Sequence, residues 1–286
     1  MLEHVTGIDH CVILVRDLDS AQATYRRLGF TLAPRAHHSA HMGTGNHTIM
    51  LGEDYFEILG VVAPTPENQR WRDFLARREG LTGIALRTDD AEQAAAELRA
   101  HGIAAGDPLR FSRPVDLPGG GRTEAAFVVT KLPLEATPGA GMFVCGHLTR
   151  DAVWLPSLQR HPNTATALAE LLVCCSEPHA VAAPYREFLK SVVNHPDGSA
   201  TVDTGNTPIR FVTPARVAAR HPWLDRSVYA GLAAEGPFVL GLAVTVADLA
   251  AARAVLAAAG VTTHATAGGI AVAPADACGV VLELRG

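Results

Sequence analysis

The chain has 286 residues, 48% of them hydrophobic, with 24 basic and 29 acidic side chains and a net charge of -5. That much apolar surface suffices for a core without staples, in one large domain or two ordinary ones. The acidic balance excludes a nucleic-acid groove, which needs a basic face to release counterions, and no apolar run approaches the roughly 18 residues of a membrane span.

The first predicted element is the apolar run 11–15, too short for a helix and rich in β-branched residues, hence a buried strand. Asp17 or Asp19 can cap the helix that follows, Ala21, Tyr25 and Leu28 line one of its faces, and Gly29 stops it. Segments 47–51 and 55–61, joined by Gly52-Glu53-Asp54, read as antiparallel strands, with room for another near Thr31. The pattern then repeats. Its acidic turn and closing glycine recur 73 residues on (Asp17 to Asp90, Gly29 to Gly102), followed by strands at 125–130 and 142–145. Gly119-Gly120-Gly121 lies in a connection that we read as a hairpin rather than a phosphate loop, because no Lys-Ser/Thr and no helix follow. Segment 148–166, with Trp154, Pro156 and Pro162, breaks the pattern and reads as a linker. A third copy begins at Glu170, with Glu177 in place of Asp17 and no closing glycine. A fourth lies 231 residues from the first (Asp17 to Asp248, Gly29 to Gly260). Each copy is a supersecondary unit that cannot bury its apolar face alone.

Five cysteines, Cys11, Cys145, Cys174, Cys175 and Cys278, show no C-x-x-C spacing and sit mostly in apolar runs, as reduced thiols do. With no basic, apolar and small-residue leader at the N-terminus, a cytoplasmic protein is expected.

Four β-α-β-β-β units resemble the vicinal oxygen chelate superfamily. His10 opens the first strand and Glu57 lies in the last strand of that unit. The stretches His41-Met42-Gly43-Thr44-Gly45-Asn46-His47 and Gly52-Glu53-Asp54-Tyr55-Phe56-Glu57-Ile58-Leu59 look like the glyoxalase-like branch. The resemblance covers nearly the whole chain. It implies an α+β fold of four βαβββ modules paired into two cup-shaped mixed sheets, with 1–150 as the first half and 151–286 as linker and second half. It also implies a divalent metal ion (Zn, Fe, Mn or Ni) on the concave side that chelates two neighbouring substrate oxygens. The activity would be that of a metal-dependent lyase, isomerase or dioxygenase on a small molecule, with no membrane or nucleic-acid partner and a homodimer left open.

Carried over residue by residue, the resemblance implies His10 and Glu57 as metal ligands, with His147 completing the set and Cys145 sharing its face. Gly83 and Gly241 fall where a donor is expected and offer none. Glu170 and Glu283 take the corresponding places in the second half without an imidazole, so as like charges in one cup one of them should carry a raised pKa. His47, expected to face inward from a His-rich loop, and Tyr55 join these two as substrate-binding residues. His10 alone reads more readily as a core histidine bonded to a carbonyl than as a ligand. Glu57 strengthens the site reading, because a carboxylate among Tyr55, Phe56, Ile58 and Leu59 is costly unless paired or ligated. The rival functions are a metal-free binding protein of the bleomycin-resistance type, favoured by the two glycines, and a scaffold whose cup is filled by side chains.

Overall fold

The computed structural model describes residues 2–117 and 120–286. The first half runs β1 (Gly7–Val15), α1 (Leu18–Arg27), β2 (Ala36–His37), β3 (Thr44–Met50), β4 (Tyr55–Val61), α2 (Gln69–Arg77), β5 (Gly80–Arg87), α3 (Ala91–Ala100), β6 (Leu109–Asp116), β7 (Arg122–Lys131) and β8 (Gly141–His147). The second runs β9 (Ala165–Cys174), α4 (Pro178–Ala182), β10 (Ser191–Asn194), β11 (Ala200–Asp203), β12 (Ile209–Val212), α5 (Pro214–Arg220), α6 (Ala230–Glu235), β13 (Phe238–Val246), α7 (Leu249–Ala258), β14 (Thr263–Thr266), β15 (Gly269–Val272) and β16 (Val281–Arg285). Two eight-stranded mixed sheets result, ordered β2-β3-β4-β1-β5-β8-β7-β6 and β10-β11-β12-β9-β13-β16-β15-β14. This is the α+β fold of paired βαβββ modules.

The acidic turns work as helix caps. Asp17, Asp90 and Asp248 each accept from a backbone N–H in the first turn of α1, α3 or α7. Gly29, Gly102 and Gly260 end those helices at φ 81, 80 and 67, where a side chain would be strained. Glu177 makes no such cap, and its helix α4 spans five residues. Several elements fall outside the segments predicted, among them α2 and β6. Helix α2 turns Trp71, Phe74 and Leu75 onto Val12, Leu14 and Leu59, and β6 is an edge strand, where Pro114 costs no ladder bond. Strands β6 and β7 pair from Leu109 to Asp116, as the hairpin reading requires, although Gly119 itself lies outside the described residues.

Where the units join, the ladders carry a bulge at one repeated place. Asp9 lies unpaired between Ile8 and His10, Thr82 between Leu81 and Gly83, Ala169 between Leu168 and Glu170, and Leu240 between Val239 and Gly241. The helix-bearing faces of both sheets share one core, in which Tyr25, Leu28 and Phe56 of the first half meet Leu256, Ala277 and Leu284 of the second. Segment 148–162 is no loose tether. Trp154 and Leu158 cover the first sheet's concave face, and His161 accepts from Thr31 N and donates to Met50 O.

Candidate functional site

The bulge at Asp9 turns the first sheet's concave face into a site. Ile8 and Cys11 both lie in the shared core, so the two residues between them, Asp9 and His10, turn together to the other face. Asp9 is fully buried, and its Oδ1 accepts from His10 Nδ1 at 2.7 Å and from His147 Nε2, at the end of β8, at 3.0 Å. Burial pushes the Asp9 carboxyl up, but the two imidazole hydrogen bonds outweigh it and hold the group well below the usual carboxylate range. With Nδ1 donating, a neutral His10 presents the Nε2 lone pair to the cup.

Glu57, on β4, meets that lone pair. Its Oε2 lies 4.0 Å from His10 Nε2, while Oε1 accepts from Asn46 Nδ2 of β3 at 2.6 Å and lies 4.0 Å from His38 Nε2. An imidazole lone pair and a carboxylate oxygen thus face each other across a gap too wide for a hydrogen bond, which a cation or a ligand's donor group would close. Tyr55 stacks on His10 with 4.3 Å between ring centroids, and Phe143 meets the same ring edge-on at 5.5 Å. Burial lowers the pKa of His38, against the opposing pull of Glu57. A small cleft of about 40 Å³ opens beside this floor, lined among others by Asn46, Thr48, Arg113, Val153 and Leu158.

Strand register gives each unit's equivalent residues. Glu57 adjoins the repeat place held by Val12, and the residue beside Ala85, the Val12 equivalent of β5, is Phe143. The four positions of the first cup are therefore His10, Glu57, Gly83 and Phe143, and those of the second are Glu170, Arg210, Gly241 and Glu283. The glycines lack donors for a packing reason. A Cβ on Gly241 would lie 2.2 Å from Val281 O, and one on Gly83 would lie 3.3 Å from Val12 Cβ.

His10 Nε2 and His38 Nε2 each lie 4.0 Å from a different oxygen of Glu57, and two imidazoles with a carboxylate are donor types that divalent ions take. Asp9 behind His10 is the partner such a ligand needs. Asp9, His10, Cys145 and His147 form another group, with ligand atoms all within 4.8 Å of one another. On that side both imidazoles bond Asp9, and burial pushes the Cys145 thiol far up.

His147 therefore sits behind His10, against Asp9, while Glu57 lies on the opposite side of the His10 ring. His47 does not face inward. It pairs with Ile58, not with Glu57, which puts it on the helix side, where its Nδ1 is 2.9 Å from Ala33 O and 3.3 Å from Gln22 Nε2. The expected repulsion between Glu170 and Glu283 is also absent. Arg220 bridges them at 2.6 and 2.9 Å and Arg285 at 3.0 and 2.7 Å, with His221 Nε2 3.3 Å from Glu283. Burial raises the Glu170 pKa, but the two guanidinium charges outweigh it and bring it below the usual value. Arg285, two residues after Glu283 on the same strand face, was the available signal. The rest of that concave face is plugged by Val217, Leu224, Tyr229 and Ala233 against Leu172, Leu240 and Val281. Asp9 was missed too. Its signal is two adjacent polar residues in an otherwise apolar strand.

The model of a family described as "Glyoxalase-like domain" matches residues 8–189. No curated protein matches the chain. Among solved structures, a hypothetical protein from Staphylococcus aureus superposes with TM-score 0.61 at 13% identity, covering 97% of this chain and 98% of that one. A mutant 4-hydroxymandelate synthase from Streptomyces coelicolor follows with TM-score 0.56 at 15% identity, covering 91% and 76%. Methylmalonyl-CoA epimerase from Mycobacterium tuberculosis covers 51% of this chain and 92% of its own, at 19% identity and TM-score 0.39. At these identities the likeness concerns the fold. Among the described residues no helix is long and apolar enough to cross a membrane.

Proposed function

This chain belongs to the glyoxalase-like domain family of the vicinal oxygen chelate superfamily, and on that premise we propose that it is a metal-dependent enzyme acting in its first cup on a small molecule with neighbouring oxygens. The observation that carries the reading is the gap between His10 Nε2 and Glu57 Oε2, two acceptors 4.0 Å apart on a buried floor. His10, His38 and Glu57 would hold a divalent ion, which when bound polarises a substrate carbonyl as a Lewis acid. Asp9 fixes the His10 tautomer by accepting from Nδ1. Asn46 orients Glu57 by donating to Oε1, and Trp154 and Leu158 keep water from the floor. Tyr55, stacked on His10, gives the substrate an aromatic wall. The second half, with its carboxylates locked by arginines and its concave face plugged, serves as a structural partner.

Metal analysis of purified protein tests this. His10→Ala and Glu57→Ala are each expected to lose divalent metal while remaining folded, unlike a core truncation such as Leu14→Ala, which leaves a cavity worth about 2–5 kcal/mol. Full metal content in both variants would end the reading. Gly83 and Phe143, empty of donors at the other two positions, favour a metal-free binding protein as the second reading. Its signature is a ligand-dependent melting shift in protein stripped of metal.

A further inference from the structure

Among the described residues, two polar groups on the concave side of the first cup keep unused binding capacity, Arg113 without an ion pair and Asn46 with a free acceptor. The first is Arg113, on edge strand β6. It pairs in register with Ala125, two residues from the Phe111–Phe127 pair, so its side chain lies on the face that Ala125 and Phe127 present to the cup, with the guanidinium 5.7 Å from the Phe127 ring centroid. Its neighbours on this hairpin are neutralised, Arg110 by Glu92 and Arg122 by Asp116. Arg113 forms no ion pair among the described residues. Its charge acts with burial at His38 and opposes the burial-driven rise at Tyr55, which places it within electrostatic reach of the floor.

The second group is Asn46. Its Nδ2 donates to Glu57, which fixes the amide's orientation and leaves Oδ1 buried without a donor. A buried acceptor left unpaired is costly, so this atom favours a ligand that brings an O–H or N–H. Arg113 and Asn46 line the same cleft, with Thr48 beside them. The cleft thus offers a fixed positive charge at its rim and a hydrogen-bond acceptor next to the floor.

We propose that the substrate is a small carboxylate bearing a hydroxyl group, with Arg113 binding the carboxylate and Asn46 Oδ1 accepting from the hydroxyl. This rests on the reading of the first cup as the working one and adds the substrate's chemical class. Arginine suits the task because its planar fork matches a carboxylate bidentately.

Titration of the purified protein with glycolate tests the assignment, with acetate (no hydroxyl) and ethylene glycol (no carboxylate) as controls, followed by melting temperature. Glycolate should bind most tightly. Arg113→Gln should weaken it about tenfold, the loss of one charge-assisted contact, and Arg113→Lys by less. Because Arg113 forms no ion pair among the described residues, Arg113→Gln should melt close to wild type without ligand. Glycolate bound equally by wild type and Arg113→Gln, or no better than both controls, would overturn the proposal, as would no binding at all. Metal content of the same preparations separates the two claims. Retained metal without a glycolate effect sinks the anchor and spares the metal site, whereas an Arg113-dependent glycolate effect without metal does the reverse.

Discussion

Asp9 and Asp54 are both carboxylates buried away from water, but only Asp9 has imidazole donors. For Asp9 the folded pKa is depressed, so its stabilisation is present above the unfolded value and is lost as pH falls through the acid range. Asp54 accepts only from Leu168 N across the two halves, and burial pushes it from 3.8 up to about 6. A raised carboxylate pKa acts in the opposite sense, with stabilisation present at acid pH and lost as pH rises from about 4 to 6. Asp54→Asn, which keeps the acceptor and cannot ionise, should therefore melt higher than wild type at pH 7 and nearly equal to it at pH 4. Equal melting temperatures across that range would show that Asp54 is not the titrating group. Glu170 follows Asp9 in sign, and Glu170→Gln should lower stability at neutral pH by leaving Arg220 and Arg285 short of charge. A gain in stability would restore the repulsion that its sequence position suggested. That expectation failed because Arg220 arrives from a helix 50 residues away, a distance that strand patterning does not span.

At the scale of elements, the missing donors at Gly83 and Gly241 have a steric origin that can be measured. Gly241→Ala drives a Cβ into the Val281 carbonyl and should destabilise by about 3 kcal/mol, the upper end for overpacking, whereas Gly83→Ala meets only a tight contact with Val12 and should cost under about 1.5 kcal/mol. Urea unfolding of both variants checks the contrast, and equal losses would mean that the strands can part. Elements were legible where local chemistry decides them. Caps at Asp17, Asp90 and Asp248 and helix-ending glycines fix three of the four long repeats before any tertiary contact forms. The site was only half legible. His10 and Glu57 stand on regular strands whose period can be counted, and the chain does bring them to one floor. Asp9 depends on a bulge, and His38 follows a two-residue edge strand and is held by Thr44 of β3, so neither follows from alternation. His47 went the other way, because proximity to a strand says nothing about which face a residue takes.

For the whole molecule, the shared core decides how the halves unfold. Tyr25 of α1 donates to Ala277 O in the second half, and Asn206 receives Ile8 N while donating to Ile8 O, so either half alone would expose apolar surface and broken hydrogen bonds. Differential scanning calorimetry should show one transition, with calorimetric and van't Hoff enthalpies in agreement. Two resolved transitions would mean that the sheets are independent domains. Segment 148–162, stitched to the first half at Thr31, Met50 and Leu51, should resist proteolysis as long as that half is folded.

The bulge that recurs where the units join separates side-chain content from the ladder that carries it. Asp9, Thr82, Ala169 and Leu240 occupy the same kind of place, yet one is a carboxylate, one a hydroxyl and two are apolar. A position whose backbone is already excused from pairing can change its residue without shifting the register of the strands on either side. Chemistry can therefore be written into or erased from one copy while the other three stay silent, which makes this fold a ready substrate for installing a second centre by design at Ala169 or Thr82.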